Sequence, residues 1–143
     1  MIFFIDQASK YLAITFLSKT ETVPVIKGFF HLTLVFNTGA AFGMFQSQPY
    51  LFAAIALFAA FFINYLLVRK AGKLTSLERL ALCFILGGTL GNLADRIRLG
   101  CVIDFLDLRV WPVFNVADSF ITVGAVMLGL GVIRGIGKKR ETQ

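Results

Sequence analysis

The sequence predicts an all-α membrane protein, a four-transmembrane-helix bundle with a small extracytoplasmic β-sheet on the outer membrane surface. The prediction rests on the composition of the chain, on its mean hydropathy and on the grouping of its apolar residues into long runs. Of the 143 residues, 57% are hydrophobic and only 15% are charged, and the mean hydropathy is +0.80. Soluble chains carry about 25% charged residues, so this chain has too few to cover a water-facing surface. The apolar residues are concentrated in long runs, and we expect one membrane-embedded domain over residues 1–143.

Four apolar runs are the predicted transmembrane helices. The clearest is the 19-residue run Tyr50 to Val68, whose only strongly polar member is Asn64. At 1.5 Å per residue it covers roughly 28 Å, which matches the hydrocarbon core of a bilayer. The first run is the weakest, because it contains Asp6 and Lys10. In chain order, the predicted spans are residues 2–18, 50–68, 77–97 and 116–133.

The basic residues predict how these spans are oriented. Eight lysines and arginines lie in or beside the second connection and the carboxyl-terminal tail, against five in or beside the other two connections. Positively charged segments stay preferentially in the cytoplasm. We therefore expect both termini on the cytoplasmic side of the membrane, with loops 19–49 and 98–115 outside. The net charge of +6 is spread between apolar runs, which favours contact with lipid headgroups over nucleic acid.

The first outer loop has the sequence of a β-hairpin. Residues 23–26 and 29–36 are rich in β-branched and aromatic side chains, and they flank the pair Lys27-Gly28. We therefore expect a small sheet on the outer membrane surface, with the alternate residues from Phe30 to Phe36 sharing one face of the second strand. The alternative is an apolar loop packed on the helix bundle.

Asp6 and Asp95 are acidic residues inside the predicted spans. An ionised side chain inside a span costs at least about 2.5–3.5 kcal/mol on insertion scales, so it usually faces the bundle interior. Asp6 lies in the first span and Asp95 at the outer end of the third. Both have a structural alternative. Asp6 and Lys10 have the spacing of an ion pair on one helical face, and Asp95 suits a pairing role inside the bundle.

Two further acids are expected near the outer interface. Asp104 lies in the last loop, and Asp118 lies in the first turn of the fourth span. Asn115 and Asp118 also fit a simpler role, as a helix N-cap and an acid that interacts favourably with the helix dipole. Asp107 is close to Arg109, which favours a solvated surface pair.

Small residues predict how the third span packs. Gly87 and Gly91 have the spacing that lets another helix approach closely. Gly87, Gly91 and Asp95 form one stripe along the helix, and Gly88 and Asn92 form a second stripe beside it. The two stripes therefore place Asn92 and Asp95 toward the contact with the neighbouring helix. Helix packing alone is a sufficient explanation of the glycines themselves.

The polar residues limit the chemistry that the chain supports. The single histidine, His31, belongs to the predicted sheet, where a surface or interface role suits it better than that of a catalytic base. Zinc sites need several histidine or cysteine ligands at close spacing, and the sequence lacks them, so we expect no metal and no other cofactor. Carboxylates remain. Two held close together share one proton, so that one takes a proton from water while the other polarises a peptide carbonyl.

Five segments, taken in order, resemble the lipoprotein signal peptidase family, the type II signal peptidases of bacteria. They extend over residues 6–118 and are interleaved with the four spans. They are Asp6-Gln7-Ala8-Ser9-Lys10, Asn37-Thr38-Gly39-Ala40-Ala41-Phe42, Gly87-Gly88-Thr89-Leu90-Gly91-Asn92-Leu93-Ala94-Asp95-Arg96, Val102-Ile103-Asp104-Phe105 and Phe114-Asn115-Val116-Ala117-Asp118. The resemblance implies an intramembrane aspartic endopeptidase. Such an enzyme removes the signal peptide from prolipoproteins by cutting before a cysteine that carries a diacylglyceryl group.

The resemblance also implies roles for individual residues. Asp104 and Asp118 match the catalytic pair, which the residue pattern alone leaves open. Asp6, Lys10 and Asp95 match positions that support the fold. The positions that match the substrate-binding and inhibitor-binding site are Asn37, Gly39, Asn92, Arg96, Asn115 and Ala117. The segment that begins at Gly39 and continues through Ala40 and Ala41 is expected to cradle the substrate.

The implied partners are lipidated prolipoproteins, membrane lipids and inhibitors similar to the peptide-like antibiotic globomycin. We expect a monomer, because the bundle and its loops can enclose the site alone. Two alternatives come from other classes of protein. One is a four-helix proton-coupled exporter with Asp6 as its proton carrier, and the other is a non-catalytic membrane scaffold. The long first loop and the acids near the outer interface favour the protease over the exporter.

Overall fold

The computed structural model of this chain is mostly helical and contains one small β-sheet. It describes residues 1–17, 21–39 and 48–140. The elements, in chain order, are α1 (Ile2–Phe16), β1 (Thr22–Ile26), β2 (Phe30–Asn37), α2 (Pro49–Arg69), a 3-10 turn (Ala71–Lys73), α3 (Ser76–Leu99), β3 (Val102–Asp107) and α4 (Val116–Arg140).

The described helices differ in how well their length suits a bilayer. Two are long and apolar enough to cross one, namely α2 over Tyr50–Arg69 and the whole of α3. The apolar part of α4, Val116–Gly131, is shorter, and so is the 15-residue α1. The predicted end of the first span, Ser18, lies outside the described residues. The last predicted span, residues 116–133, lies within α4, whose helix continues to Arg140.

The bounds of α3 follow from local signals at its two ends. At its start, Thr75 Oγ1 accepts a hydrogen bond from the Glu78 N–H at 3.2 Å, and Glu78 Oε2 accepts one from the Thr75 N–H at 2.8 Å. This reciprocal pair is a capping box. At its end, Gly100 adopts a left-handed φ of 70°, which glycine tolerates and most residues do not. The helix so defined contacts α1, α2, α4 and β3.

The three strands form an antiparallel sheet in the order β1-β2-β3. The predicted hairpin is confirmed, with Thr22 opposite Thr33 in its register. The sequence did not predict β3, because this strand is buried along almost its whole length and lacks the alternation that marks a half-exposed strand. β3 places Asp104 opposite Val35 of β2, two residues from Asn37.

The buried core joins α1 to the sheet. Ala13 of α1 packs with Leu34, Ile103 and Phe105 in one apolar cluster. The expected apolar face of β2 is only partly correct, since Leu34 is buried while Phe36 is 39% exposed.

Two glycines allow α3 to approach its neighbours closely. A Cβ added at Gly88 would lie 2.5 Å from the carbonyl oxygen of Ala117 in α4. One added at Gly91 would collide with the carboxylate of Asp6 in α1. The small-residue stripe of α3 therefore faces both α1 and α4, and it brings the acid of α1 against the backbone of α3.

We expect Gly88→Ala to destabilise the folded protein by about 1–3 kcal/mol, the usual cost of overpacking a tight contact. The added methyl group meets a backbone carbonyl, which cannot move without shifting α4. Gly129→Ala is the matched control, since a Cβ there would meet no atom within 4 Å. Thermal unfolding in detergent, followed by circular dichroism, measures both. Equal melting temperatures for the two variants would contradict the close approach of α3 and α4.

Candidate active site

A cavity of about 180 Å³ lies where the end of β2, the last turns of α3, β3 and the start of α4 meet. It is open enough to admit water, and its walls are polar as well as apolar. The described residues that line it are Asn37, Gly39, Asn92, Arg96, Val102, Asp104, Trp111, Pro112, Val113, Phe114 and Asp118. Both acids that match the catalytic pair therefore face one space.

Asp104 projects into this cavity from the middle of β3 and is 2% exposed. Its two oxygens accept hydrogen bonds from amide groups, Oδ1 from Asn115 Nδ2 at 2.7 Å and Oδ2 from Asn37 Nδ2 at 2.9 Å. Burial raises the pKa of Asp104 to about 6, and the nearby charge of Asp118 adds to this rise, while the two amide hydrogen bonds oppose it. The carboxyl group can therefore hold or release a proton close to neutral pH.

Asp118 faces the cavity from the first turn of α4. Its Oδ1 accepts a hydrogen bond from Asn92 Nδ2 at 2.7 Å, and its Oδ2 accepts one from the Asn115 N–H at 3.3 Å. In return the Asp118 N–H donates to Asn115 Oδ1 at 2.9 Å. Asn115 thus caps α4, and the same geometry directs the Asp118 carboxylate toward the cavity.

A buried charged cluster lies behind the cavity, formed by Asp6, Lys10 and Asp95. Lys10 Nζ is 2.9 Å from Asp6 Oδ2 and 2.7 Å from Asp95 Oδ2, and it donates to Asn92 Oδ1 at 2.8 Å. Backbone groups complete the cluster, because the Ala117 N–H donates to Asp6 Oδ1 at 2.9 Å and the Ile103 N–H donates to Asp95 Oδ2 at 3.3 Å. Buried charges of this kind are stable only when they are paired and hydrogen-bonded.

Arg96 borders the cavity one turn beyond Asn92 on α3. Its guanidinium lies 5.5 Å from the ring centroid of Phe52, within the range of a cation–π contact. Its Nη1 also donates to the Asn92 carbonyl oxygen at 3.4 Å. These contacts orient a charged group that has several donors beside the two carboxyl groups.

Part of the cavity wall is the segment 111–114 before α4, which was not predicted from the sequence. This segment folds back on β3, where the Phe114 oxygen accepts hydrogen bonds from the N–H groups of Phe105 and Leu106 at 3.0 and 2.8 Å. The Phe114 N–H returns one to the Leu106 oxygen at 3.0 Å. Only the position of Phe114 inside a family motif pointed to this wall, because the contact depends on a strand that was not predicted.

Two residues that were expected to contact substrate, Asn115 and Ala117, lie next to the cavity and not in its lining. Ala117 and Asn115 are both fully buried, and neither is among the residues that line the cavity. Ala117 sits on the face of α4 that packs against Asp6 and Gly91, so its environment is protein and not solvent. Asn115 supports the two acids from behind. Of the segment expected to cradle substrate, Gly39 lines the cavity, while residues 40–42 lie outside the described residues.

Two residues of the sheet, Asp107 and His31, lie outside the cavity. Asp107 is not a solvated surface group: it is buried and accepts hydrogen bonds from Thr33 Oγ1 and the Arg109 N–H, each at 2.8 Å. The reason is that β3 continues under β2 to this residue. Arg109 Nη1 does approach Asp107 Oδ2, at 3.4 Å, and its side chain is half exposed. His31 pairs with Asp107 across the sheet and does not line the cavity.

The described geometry suits proton-transfer chemistry at two carboxyl groups. Asp104 and Asp118 share one cavity, and amide groups hold each of them from the protein side. Among residues 1–17, 21–39 and 48–140, no three histidine, cysteine or acidic side chains are grouped so as to hold a metal ion.

The chain is similar to known proteins over most of its length. A family model described as signal peptidase (SPase) II matches residues 1–134. The lipoprotein signal peptidase of Caldanaerobacter subterraneus subsp. tengcongensis is 49% identical over 129 residues, which covers 90% of this chain and 88% of that protein. The lipoprotein signal peptidase of Moorella thermoacetica is 46% identical over 128 residues, with 90% and 85% covered.

The fold also matches solved structures. A bacterial membrane enzyme determined by the in meso method at 2.3 Å resolution superposes with a TM-score of 0.89 at 27% identity, covering 96% of this chain and 86% of that one. A second, determined at 1.9 Å resolution, gives a TM-score of 0.81 at 28% identity, with 92% and 86% covered. The chain therefore belongs to the signal peptidase II family and is a protease of the bacterial membrane.

Proposed function

We propose that this chain is an aspartic endopeptidase that removes the signal peptide from diacylglyceryl-modified prolipoproteins, cutting before the lipidated cysteine. One observation carries the proposal: Asp104 and Asp118 face the same cavity, and each is held by asparagine amides. The names of the relatives support the substrate class. The raised pKa of Asp104, about 6, supports proton transfer near neutral pH.

The proposed reaction uses the pair in its singly protonated form. The ionised carboxylate takes a proton from a water molecule as the water oxygen attacks the scissile carbonyl carbon. The protonated carboxyl group donates to the carbonyl oxygen, which stabilises the charge that develops there. The tetrahedral intermediate then collapses, the C–N bond breaks, and the proton taken from water passes to the leaving nitrogen. The pair returns to its starting form with one proton.

Substrate binding is proposed for the polar groups that border the cavity on either side of the pair. Asn37 and Gly39 lie at the end of β2, and Arg96 and Asn92 lie on α3. The guanidinium of Arg96 presents a fork of donors that suits the carbonyl groups of an extended peptide. Asn115 and Ala117 are proposed to support this site without contacting the substrate, because both are fully buried.

The proposed setting is a four-span bundle with both termini in the cytoplasm and the cavity at the outer leaflet. The two long apolar helices and the family support a membrane location, and the distribution of basic residues supports the orientation. A signal peptide is itself a membrane helix. A scissile bond at its outer end, next to a lipid-anchored cysteine, would meet carboxyl groups at the depth where α3 ends and α4 begins.

The proposal extends to partners. Lipidated prolipoproteins are the substrates, membrane lipids surround the apolar faces of the helices, and globomycin-like inhibitors occupy the cavity. A monomer suffices, because one chain supplies both carboxyl groups and the residues around them.

The exporter alternative receives no support from Asp6. A proton carrier must load and release its proton in water, whereas Asp6 is fully buried and accepts hydrogen bonds from Lys10 and the Ala117 N–H. These contacts tie the Asp6 carboxylate to Lys10 and to the start of α4, away from water.

Asp104→Asn and Asp118→Asn are each expected to lower the rate of cleavage by at least about a thousandfold, since neither amide can replace a carboxyl group in proton transfer. The assay follows the release of signal peptide from a purified lipidated precursor in detergent micelles. Asp107→Asn is the matched control, because Asp107 lies on the same strand outside the cavity. Its variant should cleave at close to the normal rate. Normal cleavage by either Asp104→Asn or Asp118→Asn would refute the proposed function.

Arg96→Lys is expected to raise KM about tenfold with little change in kcat, because lysine keeps the charge but loses the planar fork. Arg98→Lys serves as the control, since its exposed guanidinium contacts Gln7 at 3.3 Å and not the cavity. Steady-state kinetics on the same precursor separate the two constants. An unchanged KM in Arg96→Lys would remove Arg96 from the substrate-binding site.

A further inference from the structure

We propose that Lys10 is a positioning residue for the catalytic pair, and that its ammonium fixes the direction in which Asn92 donates to Asp118. In this role Lys10 keeps the pair in its singly protonated form, in addition to neutralising two buried acids. The inference rests on the proposed function, because it assigns Lys10 a part in the reaction of Asp104 and Asp118. It stands on the chain of hydrogen bonds that runs from α1 through α3 to α4.

Lys10 uses all its hydrogen-bonding capacity. An ammonium group has three donors and no acceptor. Lys10 Nζ has three partners, Asp6 Oδ2 at 2.9 Å, Asp95 Oδ2 at 2.7 Å and Asn92 Oδ1 at 2.8 Å. Because Lys10 can only donate, Asn92 must turn its oxygen toward it.

The contact with Lys10 also fixes the direction of the Asn92 NH₂ group, because the oxygen and the NH₂ group are the two ends of one amide. With its oxygen toward Lys10, its NH₂ group points to Asp118 Oδ1 at 2.7 Å. An NH₂ group can only donate, so this oxygen of Asp118 must accept. The proton shared by the pair is therefore excluded from the Asn92 side of Asp118, and it stays on the side that faces Asp104 and the cavity.

Asn92 differs from the other two amides at the site in what orients it. The Asp118 N–H donates to Asn115 Oδ1 at 2.9 Å, which directs Asn115 Nδ2 to Asp104 Oδ1. The Gly39 N–H donates to Asn37 Oδ1 at 3.0 Å, which directs Asn37 Nδ2 to Asp104 Oδ2. Backbone groups thus orient these two amides. The Asn92 oxygen accepts from two side chains, Lys10 Nζ at 2.8 Å and Asn115 Nδ2 at 3.1 Å. Lys10 is the closer and the charged donor, so its substitution removes the stronger of the two bonds that orient the Asn92 amide.

The charge of Lys10 acts in the same direction as its hydrogen bond. The described charged groups that face this region are Asp6 and Lys10 on α1, Asp95 and Arg96 on α3, Asp104 on β3 and Asp118 on α4. Burial is the main cause that raises the pKa of Asp104, and the positive charge of Lys10 is one of the effects that lower it. Loss of this charge would make the pair hold its protons more tightly.

Removal of Lys10 should therefore change the pH dependence of cleavage in a defined direction. Without Lys10, only the 3.1 Å bond from Asn115 Nδ2 holds the Asn92 oxygen. The amide can then turn that oxygen toward Asp118, an arrangement that is stable only when Asp118 carries a proton. Both this rotation and the lost positive charge favour the doubly protonated pair. The ionised carboxylate that activates water would then appear only at higher pH, so the acid limb of the rate profile moves upward.

The test is the pH profile of kcat/KM for Lys10→Met, measured on a fluorescent peptide that carries a diacylglyceryl cysteine. We expect the acid limb to move up by about 0.5–1 pH unit, with KM within about twofold of the parent protein. Lys10→Arg, which keeps a donor-only cation, is expected to return the limb toward its normal position.

Asp6→Asn is the matched control for a purely structural role. It removes one ion pair of the same buried cluster but leaves the bond from Lys10 to Asn92 in place. We expect a lower melting temperature and an acid limb that does not move upward, since the change removes a negative charge.

Two results would overturn the inference. One is a folded Lys10→Met variant whose acid limb coincides with that of the parent protein. The other is the same upward shift in Asp6→Asn. If Lys10→Met does not fold, Lys10→Gln decides by the same criterion, because it removes the charge and keeps a polar group. Either result leaves the proposed function intact, which fails only if Asp104→Asn or Asp118→Asn still cleaves.

Discussion

The structure depends on one buried ammonium group. Lys10 is 2% exposed and lies within 2.9 Å of carboxylate oxygens on two different helices. An unpaired charge at this place would be strongly destabilising, whereas a paired and fully hydrogen-bonded one is tolerated. The requirement to complete this pairing fixes α1 against α3. Through the Ala117 N–H, which donates to Asp6, it also fixes the first turn of α4.

The same contacts that hold the fold together also hold the candidate active site. Asn92 accepts from Lys10 and donates to Asp118, so it belongs to both. Asn115 caps α4 and donates to Asp104. Close packing makes this possible, since only a glycine at position 91 leaves room for the carboxylate of Asp6. The contacts that stabilise the fold therefore also position the two carboxyl groups of the proposed reaction.

The sequence predicted the features that depend on local pattern. The hairpin of β1 and β2 followed from residue type and its turn. The family motifs pointed to Asp104 and Asp118, where the pattern alone could not choose between a capping role and a site. The structure gives Asp118 both, because the Asn115 cap directs its carboxylate into the cavity.

The features that the sequence did not predict depend on long-range contacts. β3 lacks alternation because it is covered on both faces, so the wall formed by Trp111 to Phe114 could not be foreseen. Asp107 was expected at the surface because Arg109 is close to it in sequence, and only the pairing of β3 with β2 shows that it is buried. The family motif placed Ala117 among the residues that contact substrate. Only the packing of α4 shows that the Ala117 side chain faces α3.

The most direct test of this account is an infrared titration of the carboxyl groups in the detergent-solubilised protein, compared with its Asp104→Asn variant. A protonated carboxyl absorbs separately from an ionised one, so the experiment observes the shared proton itself. The account predicts a protonated carboxyl signal that disappears as the pH rises through about 6 and that is lost in Asp104→Asn. A protein whose carboxyl groups are all ionised well below that pH, with the same titration in the variant, would contradict it.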